Sequence, residues 1–160
     1  HLFYCDEDMT TYNTNLKVIP PVRTKTDRDA LIAGVVDGTI DCIASHHAPQ
    51  DWDHKVCEFE YAEFGNIGLQ TTYSALEQTV PGLQPEQISN LLSGNARQIF
   101  ALPTVSIEEG QAAELTIFNR TEMTTLTPEN NKSKSSNSAF MKQPLTGKVM
   151  ATIHNNQLTQ

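Results

Sequence analysis

The stretch Asp37-Gly38-Thr39-Ile40-Asp41-Cys42-Ile43-Ala44-Ser45-His46-His47-Ala48-Pro49-Gln50 decides the fold class. Ile40 to Ser45 is a nearly continuous apolar run, as expected of a strand buried in a parallel sheet. Gly38, just upstream, is a natural helix C-cap. Before it, Leu31, Ile32, Val35 and Val36 recur at helical spacing and make one apolar face. Thr26, with Asp29 three residues on, reads as the capping pair that starts this helix. A helix followed by a buried strand is the rhythm of an α/β fold.

Upstream, Leu2 to Cys5 reads as the end of a strand, and Leu16 to Ile19 as a short strand stopped by Pro20-Pro21. Downstream, His46 to Phe64 is a polar loop, long enough to suggest function. A helix is expected over Leu69 to Val80, ending at Pro81-Gly82. Another is expected from Pro85 to Leu92, with Pro85 in its first turn, then a helical turn over Ala96 to Phe100. After Leu102-Pro103 the pattern changes. Ala113 to Phe118, Glu122 to Leu126 and Gly147 to His154 read as extended, and Asn130 to Ser138 as a polar loop. Asn155-Asn156 would turn the last strand into a hairpin with Gln157 to Thr159. Residues 1–103 are thus expected to be an α/β portion and residues 104–160 a small β portion.

The 160 residues carry a net charge of -8 and are 38% hydrophobic. Such an acidic balance argues against a nucleic-acid surface, which needs a basic stripe. No apolar run is long enough to span a membrane, and no signal-peptide pattern is present. Cys5, Cys42 and Cys57 form an odd set without CxxC spacing, so reduced thiols in a cytoplasmic protein are expected.

Enzymes built on α/β sheets place their chemistry at the C-terminal ends of the strands. The run ending at Ser45 delivers His46-His47 to such an end. Two imidazoles there invite a metal. Neighbours on a strand point to opposite faces, however, so one ion would not take both. His1 and His54 could join only through the fold, and on spacing alone solvated loop histidines are favoured. Trp52 and Tyr61 are expected to pack the long loop down, and Arg23 to pair with Asp27 or Glu58.

The order of motifs resembles dihydroorotases of the amidohydrolase superfamily. Tyr12 to Arg23, containing Asn15-Leu16-Lys17-Val18-Ile19-Pro20-Pro21, is similar to that family's strand and turn before a helix. Asp37 to Gln50 is similar to its last barrel strand, and Phe64 to Thr71 to the following loop. Asn95-Ala96-Arg97-Gln98-Ile99-Phe100, Glu109 to Phe118, Lys134 to Phe140 and Leu145 to Val149 continue in the family's order.

The resemblance implies the last part of a TIM-type (β/α)8 barrel plus a C-terminal segment of a small β-sandwich domain. A whole barrel takes roughly 250 residues, so the chain is expected to be a fragment that leaves barrel edges open. The implied partners are the N-terminal part of the same barrel, a second copy of the chain, or aspartate transcarbamoylase.

The implied reaction is the reversible hydrolysis of dihydroorotate to N-carbamoyl-aspartate, with zinc activating a water. A metal-binding carboxylate that shuttles the proton would stand where this sequence has His46. A substrate-contacting Asn is here Ile19, and a substrate-contacting His is here Gln50. Gly65 keeps a glycine whose backbone meets substrate, and His1 stands where some members have a metal ligand. These departures lead to the expectation of a dihydroorotase-like protein that is catalytically impaired or inactive, with a non-catalytic scaffold as the alternative.

Overall fold

The computed structural model describes residues 1–155 and 157–159. Two 3-10 turns, Asp6–Thr11 and Thr14–Leu16, precede helix α1, Lys25–Asp37. After a long irregular stretch come α2 (Thr72–Thr79) and α3 (Pro85–Ser89), the latter continued by a π-turn (Asn90–Gly94) and α4 (Asn95–Ile99). Strands β1 (Leu115–Thr125), β2 (Pro144–His154) and β3 (Gln157–Thr159) form one antiparallel sheet in the order β1-β2-β3. The fold is mixed α/β.

Local polar bonds explain where expectation and structure part. Leu2 to Cys5 and Leu16 to Ile19 are not strands. Asp8 accepts from the Cys5 amide at 2.8 Å, and Asn13 from the Asn15 amide at 3.0 Å, which favours a 3-10 turn just after Cys5 and another that ends at Leu16. Helix α1 starts two residues earlier than expected. Thr24, not Thr26, is its cap, and Thr24 and Asp27 bond to each other's amides. The hydrogen bond from Thr24 holds the Asp27 carboxyl below its usual range, helped by the expected ion pair with Arg23 at 3.7 Å. Gly38 caps the other end with a left-handed backbone. Only part of the expected apolar face is covered: Val35 is buried and Ile32 packs beside it, whereas Val36 is exposed.

The run Ile40 to Ser45 is not assigned as a strand. A strand exists only against a paired neighbour. Here the Ile40 amide goes back to Gly34 and the Ile43 amide goes to Leu91 in the π-turn. Beyond Ser45 a single parallel bridge forms, between His47 and Asn66. The two extended pieces expected over residues 113–126 are one strand, β1. Its register slips between Asn119 and Met123, where the Asn119 side chain accepts from the Thr121 and Glu122 amides. The hairpin of β2 with β3 is as expected. Asn155 has φ 49°, and Asn156 lies outside the described residues.

The core lies where the two parts of the chain meet. Val35 of α1, Tyr73 and Leu76 of α2 and Ile88 of α3 bury together, with Phe118 of β1 packed on Tyr73 at 4.5 Å between ring centroids. Gly147 lets β2 come close to α2: a Cβ there would lie 3.0 Å from the Tyr73 ring, and φ is 88°. Its carbonyl accepts from the Ser74 hydroxyl at 2.6 Å.

Over this contact sits a buried ion pair. Glu77, 5% exposed, takes two bonds from the Arg120 guanidinium, at 3.0 and 2.8 Å. Arg120 also donates to the Leu83 carbonyl at 2.7 Å. Burial and the Glu77 charge push the Tyr73 hydroxyl up to about 12. Removing one partner of such a pair leaves the other uncompensated. Glu77→Leu, which leaves the part-solvated Arg120 without its carboxylate, is therefore expected to lower the midpoint of denaturant unfolding. Arg23→Ala, at the solvated pair, should leave the transition unmoved.

Candidate functional site

A cavity of about 300 Å³ opens between the N-terminal segment, the Ile40–His46 run and the start of α2. His1 and His46 both line it, so the structure brings together the two residues expected to hold metal. Most of the wall is apolar, from side chains such as Leu16, Val35 and Ile43, and its polar groups include Asn15, Asn66 and Thr71. No carboxylate lies on the wall among the described residues.

His46 has φ 47°, a left-handed backbone that costs a non-glycine residue about 1 kcal/mol or more. Backbone strain of this kind collects at functional sites. His47 does not line this cavity. It lines a separate pocket of about 150 Å³ with Lys132 and Ser133. Its Nδ1 accepts from the Gly68 amide at 3.2 Å and the Leu69 amide at 3.4 Å, which leaves the proton on Nε2.

The other expected site residues lie off the main cavity. Ile19 is exposed. Gln50 donates from Nε2 to the Phe64 carbonyl at 2.8 Å and lines two smaller pockets beneath Trp52. Gly65 has φ 146°, and a Cβ there would lie 2.6 Å from the Ala48 carbonyl. Its amide donates to Lys17 and its carbonyl accepts from Lys55. His54 stands with Asp51 and Asp53 on the exposed loop, away from His46. Trp52 and Tyr61 do not pack the loop down; both are exposed.

Two lysines hold the loop instead. Lys55 is buried and donates to the Glu63 and Gly65 carbonyls at 2.7 and 3.1 Å. Lys17 reaches the Phe59 and Glu60 carbonyls. Burial, then the neighbouring Lys17 charge, lowers the Lys55 pKa from its ordinary 10.5. A lowered folded pKa means the unfolded chain binds this proton more tightly. Lys55 therefore contributes stability that rises with pH across the window just below 10.5.

The residue that ties the site together is Asn137, buried in the polar loop before β2. Its Nδ2 donates to the Ala48 carbonyl at 3.1 Å, and its Oδ1 accepts from the Gln50 amide at 3.2 Å and from the Ser135 hydroxyl. Its own carbonyl accepts from the Ile67 amide at 2.9 Å. Two residues on, the Ala139 amide donates to Asn66 Oδ1. The Asn, Ser and Lys content of residues 130–138 gave no periodic signal. Only the density of side chains able to mimic backbone partners marked that loop.

This fold recurs in solved structures. L-hydantoinase from Arthrobacter aurescens superposes with a TM-score of 0.84 at 22% identity, over 98% of this chain and 37% of that one. A dihydroorotase from Campylobacter jejuni superposes at 0.70 and 16% identity, over 93% of this chain and 42% of that one. These neighbours are TIM-barrel amidohydrolases, which places the chain in that class of fold.

No family model matches the sequence. Dihydroorotases do. That of Fusobacterium nucleatum is 34% identical over 161 aligned positions, 99% of this chain and 38% of that protein. That of Caldicellulosiruptor saccharolyticus is 38% identical over 156, covering 96% and 36%. The chain is homologous to these dihydroorotases over nearly its whole length. It spans a little over a third of the length of these relatives.

Asn137→Leu removes the partners of one buried carbonyl and one amide together. It is expected to cost about 2–4 kcal/mol in unfolding. Limited proteolysis should then cut the 48–66 loop faster than in the parent.

Proposed function

We propose that the chain is the C-terminal part of a dihydroorotase-like protein of pyrimidine biosynthesis whose hydrolytic chemistry is impaired. The family reaction is the reversible opening of dihydroorotate to N-carbamoyl-aspartate. One observation carries the reading: His46 borders the cavity where the resemblance calls for a carboxylate, and no carboxylate on the described wall takes its place.

Ring opening needs a group that takes a proton from the attacking water and gives one to the leaving amide. An imidazole can move a proton, but it is neutral when it binds a metal. A carboxylate brings a negative charge in either role. Zinc, where the family uses it, would polarise the ring amide and activate water. The described residues do not make that centre: they bring two imidazoles to the cavity, and zinc takes four ligands. No step through a metal is therefore derived from this chain. What its residues do is bound an apolar cavity, hold two imidazoles on its wall and fix the loop beneath it.

Residues 1–103 are proposed as the last strands and helices of the barrel, and residues 104–160 as a segment of the small β domain. The exposed apolar side chains Ile19, Val36 and Leu69 are then a face that the N-terminal part of the barrel covers. A non-catalytic assembly partner of aspartate transcarbamoylase is the second reading. The run Ile99, Phe100, Leu102, Val105 and Ile107, all exposed, favours it. Co-purification of the complete protein with that enzyme is its expected outcome, and separate elution on size exclusion counts against it.

For the first reading, the complete protein is assayed for dihydroorotate hydrolysis with added zinc. Turnover should be orders of magnitude below that of an ordinary dihydroorotase. His46→Asp should raise it by about 10²-fold or more, the usual contribution of a general acid or base. An unsubstituted protein that turns over at the ordinary rate overturns the proposal.

A further inference from the structure

Away from the cavity, the long loop gathers an imidazole and two carboxylates. Asp51, Asp53 and His54 each offer one ligand atom, and the three atoms lie within 4.8 Å of one another. The backbone explains the convergence. The His54 amide donates to the Asp51 carbonyl at 3.2 Å, which closes residues 51–54 into a hydrogen-bonded turn. The turn is then tied down on its far side. The Glu63 amide donates to the His54 carbonyl at 3.0 Å, and the Thr14 hydroxyl to the Lys55 carbonyl at 2.7 Å. The three side chains are thus presented by a fastened backbone.

The fold makes no other use of them. None of the three side chains takes part in an ion pair among the described residues. The nearest cation in the chain is committed elsewhere, since Lys55 is buried and donates to the Glu63 and Gly65 carbonyls. Two carboxylates are therefore held close without a counter-charge, and like charges at such a range repel. The imidazole is what separates this group from an ordinary acidic patch. It adds a nitrogen ligand to two oxygens, the mixture that first-row divalent ions take. Being exposed, all three side chains can turn about their own bonds to the roughly 2.0–2.2 Å at which imidazole nitrogen and carboxylate oxygen meet zinc.

We infer that Asp51, Asp53 and His54 bind a single divalent ion of the zinc class, at a site separate from the cavity. The donor set chooses the ion. Calcium and magnesium take oxygen ligands, whereas imidazole suits zinc and its neighbours. The two carboxylates cancel the charge of the ion, and water supplies the fourth ligand. Asp51 follows Gln50, and the two line the same pockets beside Trp52. An ion on the turn therefore fastens the loop next to the segment that Asn137 holds. The inference does not rest on the dihydroorotase-like reading.

The test uses the complete protein, stripped of metal by a chelator, with Zn²⁺ as probe. Calorimetric titration is run on the parent, on His54→Gln and on the double variant Asp51→Asn with Asp53→Asn. Both variants should lose one zinc-binding event of the parent, its affinity falling about a hundredfold or more. Loss of a mere partner behind a ligand already costs about 10–100-fold. His46→Gln should keep that event, which distinguishes this ion from any at the cavity. Crystals of the parent grown with zinc should show one anomalous peak between Asp51, Asp53 and His54, a readout that needs no variant. Variants that bind zinc as the parent does, or a parent with no peak on the turn, overturn the inference. Binding there at millimolar zinc alone marks an adventitious ion only and overturns it as well. The proposed function stands in each of these cases, because it concerns His46.

Discussion

The site depends on a single carboxamide, that of Asn137, which performs the work of a missing strand neighbour. The backbone from Ala48 to Gln50 and that around Ile67 run close together without a continuous ladder. Each exposes amides and carbonyls that must find partners when buried. Asn137 supplies them from both its side chain and its main chain. His46 and His47 lie just upstream of the first of these segments, and Gly65 and Asn66 just upstream of the second. Their positions are therefore set by a residue about seventy to ninety positions away, in the C-terminal third of the chain. The helical part and the sheet are coupled a second time by Glu77 of α2 and Arg120 of β1.

That scaffold presents an unusual lining. An apolar cavity with two imidazoles, two Asn side chains and no carboxylate carries no fixed negative charge. Hydrolysis of a cyclic amide creates anionic oxygen and needs a proton moved on and off nitrogen. A carboxylate beside a cation does this while neutralising the ion; a neutral imidazole does the first part only. The same lining is well suited to holding an uncharged ring edge by hydrogen bonds. Binding and turnover thus place different demands on this lining.

Much of this was legible in the residues. The apolar spacing of α1 and its Gly38 cap, the Pro-started helix α3 and the Asn155 hairpin are local matters, and local rules found them. His46 and His47 do line different pockets, but through the left-handed turn at His46 and not through strand alternation. What local rules missed was set from a distance or by competing side chains. The run Ile40–Ser45 has the composition of a buried strand, but a strand is a relation between two segments and no described segment forms a ladder with it. Thr24-x-x-Asp27 and Thr26-x-x-Asp29 have the same spacing, so the sequence alone did not choose between them. Asp8 and Asn13 bond to nearby amides and so favour 3-10 turns beside the expected strands, one just after Cys5 and one that ends at Leu16. Lys55 drew no attention in a loop rich in Asp and Glu, yet it is the cation whose burial fastens that loop. Asn137 looked like an ordinary loop asparagine until its partners could be counted.

The missing negative charge at the cavity is tested most directly by anomalous diffraction at the zinc absorption edge, on crystals of the complete protein grown with zinc. A wall that carries His46 and no carboxylate should show no bridged pair of ions there. Two strong anomalous peaks at bridging distance, with His46 as a ligand, would contradict it.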